Sequence, residues 1–221
     1  MSFSYYEIYI NSLRAFSGMG FPYGADEDAA YMVTWLELYK FEGIKQLAKL
    51  SKKIDKKYNA RINVDEIKSS AIIDLFNSCL LMKGPGLFDY FYQNTIKNKN
   101  LEVTLTNCID PIFIIPLTQK FSEKFEYVSA IWKSNQNKKM GIKIIGNNST
   151  IGELKNNIEI FNKQILLQFS TNKKSTKIKK LSFFKVKHKI NKIIEQKNLN
   201  ESINPKTKDW KIISKLANRT F

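Results

Sequence analysis

The sequence predicts an α+β fold: a helical N-terminal region over residues 1–100, then a mostly antiparallel β-sheet and a C-terminal helix over residues 101–221, packed as one compact unit. Three observations predict it. Apolar residues recur at helical spacing through the first 57 residues. From Leu101 the texture changes to short alternating runs. Behind Pro205, Trp210, Ile213, Leu216 and Ala217 return to helical spacing.

The first helix is announced by Ser4 and Glu7, a capping-box pair in which the serine oxygen accepts a free amide and the glutamate reaches back. Ile8, Ser12 and Phe16 form its stripe, and Gly18 and Gly20 end it. A second helix starts near Gly24 or Ala25. Asp26, Glu27 and Asp28 fill its first turn, where carboxylates meet the positive end of the helix dipole. Its inward stripe is Ala29, Met32, Val33 and Leu36, with Trp35 at one edge. After Phe41, Glu42 and Gly43, the residues Ile44, Leu47, Ala48 and Ile54 predict a third helix. A shorter helix is expected from Glu66 to Leu81, carrying Ile67, Ala71, Leu75 and Cys79, and stopped by Gly84, Pro85 and Gly86. Phe88 to Tyr92 adds aromatic bulk.

Strands are expected at LEVTLT, FEYVSAIW, GIKIIG and ILLQFS, with the Pro-flanked IFII at a sheet edge because proline cannot donate to a ladder. Gly146, Asn147 and Asn148 read as a turn. In KIKKLSFFKVKHKI, alternation should place Lys185, Lys187 and Lys189 on one face and Phe184, Val186, His188 and Ile190 on the other.

Composition narrows the chemistry. With 43% hydrophobic and 13% aromatic residues, the 221-residue chain has enough apolar surface for a real core. Its opening, MSFSYYEIYI, has neither the basic nor the apolar region of a secretory signal. The most apolar run, Ile109 to Leu117, is broken by Asp110, Pro111 and Pro116 and falls far below the ~18 residues of a membrane span. A cytoplasmic location with no membrane partner is expected. Cys79 and Cys108 fit no metal spacing and are expected to be buried and reduced. The single histidine, His188, excludes two-histidine zinc sites and facial triads within one chain. No metal and no cofactor is expected.

The net charge of +16 is unevenly spread. Residues 1–50 carry four basic and six acidic side chains, residues 51–132 eleven and nine, and residues 133–221 twenty-one and five. All but Arg14, Arg61 and Arg219 of the basic residues are lysines. Lysine is a hydrated point charge rather than a bidentate grip on phosphate. The same region is rich in Asn and Ile, which matches an AT-rich genome. Lys185, Lys187 and Lys189 beside Phe183 and Phe184 are candidate anion contacts, and they serve equally to protect a sheet edge. Nucleic-acid binding is therefore an alternative and not the favoured reading.

Motifs for other chemistry fail on spacing. Three consecutive acids on a helix point about 100° apart and do not converge on one ion. Gly18 and Gly20 follow a helix rather than a strand, and an acidic turn comes next, which repels a phosphate. Residues 84–86 lack the lysine and serine of a phosphate loop.

The segment from Ala15 through Gly43 resembles the opening of an uncharacterised proteobacterial family, a conserved domain of unknown function. The shared pattern is Gly18, Gly20, Tyr23, Gly24, Glu27, Ala29, Trp35, Leu36, Phe41 and Gly43, and residues 216–221 resemble that family's approach to its C-terminus. A fainter similarity runs to malate and L-lactate dehydrogenases of the non-Rossmann type, whose opening helices also lead into a Gly-Ile step, here Gly43 and Ile44. In those enzymes a Ser-His-Gly with a catalytic histidine follows. This chain has Lys45, Gln46 and Leu47 there, which implies that the hydride-transfer machinery is missing.

With no convergent nucleophile, base or metal set, the expected function is a non-catalytic or accessory protein of bacterial metabolism acting through a binding surface on a protein or small-molecule partner. The alternative is a small-molecule enzyme using carboxylate, tyrosine and arginine chemistry, with Tyr23, Glu27 and Arg219 as the candidate pocket.

Overall fold

The computed structural model describes residues 2–64, 68–155, 158–172 and 181–220. Its elements run α1 (Tyr5–Gly18), α2 (Ala25–Leu38), α3 (Gly43–Ile54), β1 (Ser70–Asp74), α4 (Leu80–Asn98), β2 (Asn100–Thr106), α5 (Ile114–Phe121), β3 (Tyr127–Lys133), β4 (Lys139–Ile145), β5 (Asn148–Leu154), β6 (Ile165–Ser170), β7 (Phe183–Ile190), α6 (Lys192–Leu199) and α7 (Thr207–Ala217). The class is α+β, with helices first, a mixed seven-stranded sheet and a closing helix. The division falls elsewhere than at residue 100: residues 1–60 and 193–221 form one unit and residues 61–192 the other.

The helical unit joins the two ends of the chain. At its start, Ser4 Oγ accepts the Glu7 amide at 3.2 Å, and the Ser4 amide donates to Glu7 Oε2 at 2.8 Å. The capping box is therefore complete. Helix α1 packs on α2 and α7, and α3 packs on the same two helices. Their shared core is Ile8, Phe16, Met32, Val33, Leu36, Ile44, Leu47 and Ile213, all essentially inaccessible. Two glycines allow the close approaches. A Cβ on Gly18 would lie 2.3 Å from the Leu216 carbonyl oxygen, and one on Gly43 would lie 2.0 Å from that of Val33. Phe3 pairs with Ile203 as an isolated bridge, and its ring lies 4.2 Å from that of Trp210.

The other unit is built on a sheet of order β1-β2-β6-β3-β4-β5-β7, with β1 and β2 parallel and every other neighbouring pair antiparallel. Register places Val103, Leu167 and Ala130 in one row facing α4 and α5. The aromatic heart of that face is Phe169, whose ring lies 5.5 Å from Phe88, 5.5 Å from Phe91 and 4.9 Å from Phe125. The opposite face holds a smaller cluster of Ile131, Ile160 and Leu181.

Four expectations are corrected here. The helix expected from Glu66 to Leu81 is instead strand β1 followed by the start of α4, with residues 65–67 outside the described set. Spacing of four residues satisfies helix and strand alike, since four is also an even number of strand steps. The IFII segment is a 3-10 turn and helix α5 rather than a strand. Pro111 opens the turn and Pro116 lies in the first turn of α5, where an amide has no intrahelical acceptor anyway. Gly84, Pro85 and Gly86 lie inside α4 instead of ending it. A Cβ on Gly84 would lie 2.3 Å from Leu117 Cδ1, so glycine there admits α5 against α4. Finally, the β7 alternation is broken by register shifts against β5, treated below.

Substituting Gly43→Ala should cost more than about 2 kcal/mol in chemical denaturation, because the clash is with backbone. Gly146→Ala, at φ +55° with no atom within 4 Å, should cost about 1 kcal/mol from its left-handed conformation alone. Equal shifts at the two positions would contradict the close approach at Gly43.

Candidate active site

The turn between α2 and α3 concentrates unusual backbone. Lys40 has φ +63° and Glu42 φ +54°, left-handed values that non-glycine residues adopt at a cost. Gly43 pulls α3 onto α2 directly after them. The result turns the Glu37 carboxylate onto the start of α3, where Oε2 accepts the Ile44 amide at 2.8 Å. Burial is the main influence on Glu37 and pushes its pKa up; the Ile44 hydrogen bond opposes this, and Glu42 and Asp209 add to the rise. Asp209 is itself buried, and its Oδ2 has no hydrogen-bond partner.

Glu37 borders a cavity of about 330 Å3 within the helical unit, lined also by Lys40, Glu42, Asn198, Glu201 and Ser202. Glu42 is engaged by Lys45, and by Lys206 at 3.2 Å, and its carboxyl is held below the usual range by them, Lys45 foremost. Two carboxyl groups a few residues apart are thus driven in opposite directions, the arrangement that separates proton donor from permanent anion. A larger cavity of about 390 Å3 lies on the sheet, lined by Ile72, Thr104, Ile131, Ile158, Leu166 and Glu102 among others. It is mainly apolar, and among the described residues its one carboxylate, Glu102, accepts Gln168 Nε2 at 2.7 Å. The smaller cavity is the one with a perturbed titratable group, and it is the better candidate for chemistry.

The residues expected from sequence sit elsewhere. Tyr23 is 93% exposed and Glu27 is exposed on the first turn of α2. Arg219 donates from Nη1 to both Asp55 oxygens, at 2.9 and 2.8 Å. None of the three lines either cavity. Of the acidic triplet, Asp26 is the buried member: it accepts Ser17 Oγ at 2.7 Å and the Glu27 amide at 2.9 Å, and so locks the start of α2 onto α1. The sequence signal for Glu37 is its position four residues after Val33 and seven after Ala30, both fully buried. That places a carboxylate on the packed side of α2.

Gln46, in the segment that stands in place of Ser-His-Gly, is 8% exposed and its Oε1 has no hydrogen-bond partner. His188 is half-buried on β7 opposite Ile151. Both cysteines are free and inaccessible. Burial pushes the Cys79 thiol up to about 11 and raises that of Cys108 as well. Among the described residues no three His, Cys, Asp or Glu side chains converge as metal ligands, and no helix is long and apolar enough to cross a membrane.

A family model described as a protein of unknown function (DUF3726) matches residues 3–74. No curated protein matches the chain in sequence. Among solved structures, a dehydrogenase from Sinorhizobium meliloti is similar over 98% of this chain and 99% of that one, with 10% identity and a TM-score of 0.70. The sulfolactate dehydrogenase from Methanocaldococcus jannaschii is similar over 100% and 97%, with 7% identity and a TM-score of 0.65. The malate dehydrogenase from Entamoeba histolytica gives 12% identity and a TM-score of 0.51 over 69% of this chain, which spans only 45% of that enzyme. At these identities the likeness is one of fold. The family-model match bears out the resemblance to a domain of unknown function, and the shared fold bears out the one to the dehydrogenases. The expectation of a non-catalytic accessory protein is corrected by the same finding, since the structures this fold matches are named as dehydrogenases.

Two measurements check this site. The raised pKa means that Glu37 binds its proton more tightly in the folded chain than in the unfolded one, where it titrates near about 4.3. Its contribution to stability is complete below that value and is lost as pH rises through the folded pKa. Glu37→Gln should therefore gain on the wild type in urea midpoint as pH rises from about 4 to 7; a constant difference across that window would refute the shift. At neutral pH an aromatic disulfide reagent should label neither Cys79 nor Cys108 until the chain is unfolded.

Proposed function

We propose that this chain is a small-molecule enzyme that transfers protons with the Glu37 carboxyl in the cavity between the α2–α3 turn and residues 198–204. The observation that carries the reading is a half-buried carboxyl of raised pKa facing a cavity, on a fold shared with dehydrogenases. Glu37 supplies the exchangeable proton, since a carboxyl whose pKa is raised by burial holds its proton more readily and can both give and take one. Lys40, Asn198 and Ser202 offer hydrogen bonds to a substrate, and Glu42 stays ionised under its two lysines. About 330 Å3 at the small end of ligand cavities suits a compact polar molecule. This keeps the carboxylate chemistry expected as an alternative and moves it from Glu27 to Glu37.

The similar proteins are named as dehydrogenases, whose hydride transfer calls for a dinucleotide. The starts of α2 and α3 do not fit its pyrophosphate: α2 carries Asp26, Glu27 and Asp28 in its first turn, and at the start of α3 the Ile44 amide is already taken by the Glu37 carboxylate. A buried Gln46 supplies no proton either. Proton transfer without hydride transfer is the reaction these residues support.

The test is solvent-deuterium incorporation into a pool of small polar metabolites incubated with the protein in heavy water. Wild type should label at least one compound, and Glu37→Gln, which keeps an oxygen for the Ile44 amide, should lower that rate by at least about a hundredfold. Absence of labelling by wild type, or equal labelling by the variant, would sink the proposal.

A further inference from the structure

Among the described residues, the strand lysines of the last part of the chain have a defined layout on the sheet, and it differs from the expected stripe. Along β7, Lys189 pairs with Thr150 and His188 with Ile151, but Gly152 then pairs with Val186 and Glu153 with Lys185. Lys187 is the extra residue of this irregularity, and Phe184 is the extra residue of a second one before Leu154 pairs with Phe183. One inserted residue reverses the side on which every later side chain stands. Lys185 and Lys189 therefore lie on opposite faces of the sheet.

The two faces are not electrostatically alike. On the helix-covered side, Glu153 Oε1 accepts Lys138 at 2.9 Å and lies 3.7 Å from Lys187, with Lys185 also acting on it. On the other side, register runs Lys143–Thr150–Lys189 across three strands. The two lysines stand about 10 Å apart by strand spacing. Among the described residues neither has a carboxylate partner. Lys143 Nζ sits 5.9 Å from the centre of the Phe183 ring, and the bulged Phe184 beside it is 76% exposed. Lysines and bulges blunt a sheet edge against pairing with another strand, but a phenyl ring held in water adds nothing to that protection. A second copy of this edge would set lysine against lysine, which disfavours self-association.

We propose that Lys143 and Lys189, together with Phe184 exposed at the adjoining edge of the sheet, form a contact surface for single-stranded nucleic acid, with the lysines on phosphates and the ring at the edge stacking on a base. The chemistry is that of a cationic sheet face with an aromatic platform, which grips a flexible polyanion with little regard for sequence.

The experiment is fluorescence anisotropy with a labelled oligothymidylate of about 15 nucleotides, over a salt series starting near about 50 mM. Wild type should bind with a linear log–log salt dependence. Lys143→Gln with Lys189→Gln should reduce the slope by about 1.4, at roughly 0.7 per phosphate contact. The paired control Lys185→Gln with Lys187→Gln, on the side of Glu153, should change it clearly less. Phe184→Ala should weaken binding at least about fivefold at fixed salt and leave the slope unchanged. Four of the five positions are exposed and Lys143 is half-buried, and unchanged thermal melting verifies folding. The proposal is overturned by no binding at low salt, by equal effects of the two lysine pairs, by an unaffected Phe184→Ala, or by equally tight binding of a DNA duplex or polyglutamate.

Discussion

At Gly43 the backbones of α2 and α3 meet so closely that a methyl group would touch the Val33 carbonyl oxygen. The rest of the candidate site depends on that contact. It forces the chain through two left-handed residues, Lys40 and Glu42, and sets the Ile44 amide at the start of α3 within reach of Glu37. A carboxylate at a helix start is ordinarily comfortable in its charged form. Here burial opposes the dipole and the hydrogen bond and prevails in the direction of the shift. A packing constraint between two helices has become an electrostatic property of one side chain.

Local rules fared well wherever a single period or cap was at stake. The Ser4–Glu7 box, the start of α2 at Gly24, the closing helix behind Pro205 and strands β2, β3, β4 and β6 all follow from patterns a few residues long. Failures came where a pattern has two solutions. Ile67, Ala71 and Leu75 recur every four residues, and only the partner strand β2 decides between helix and strand. Pro111 and Pro116 read as strand-edge markers, yet proline is equally at home where a helix begins. Gly84 looked like a stop signal, although what it marks is the approach of Leu117.

The candidate site was legible only in part for a related reason. Special residues such as Gly18, Gly20 and Gly24 drew attention to the loop at Tyr23, but they serve helix ends and the approach of α7. Glu37 is an ordinary residue in an ordinary helix, and its distinction comes from burial by the helices packed around it, to which Asp209, more than 160 positions away, adds a smaller push. The lysine stripe of β7 likewise depended on a strict alternation that two inserted residues abolish. Bulges leave no signature in composition, so the sorting of lysines between two faces was invisible before register was known.

The helical unit is assembled from both ends of the polypeptide, with Phe3 laddered to Ile203 and α1 lying on α7. During synthesis α1, α2 and α3 emerge long before the segment that completes them, and the intervening sheet must be translated first. The parts of α1 and α3 that α7 covers stay bare through that interval, the kind of transient apolar exposure that makes a partly made chain prone to aggregation.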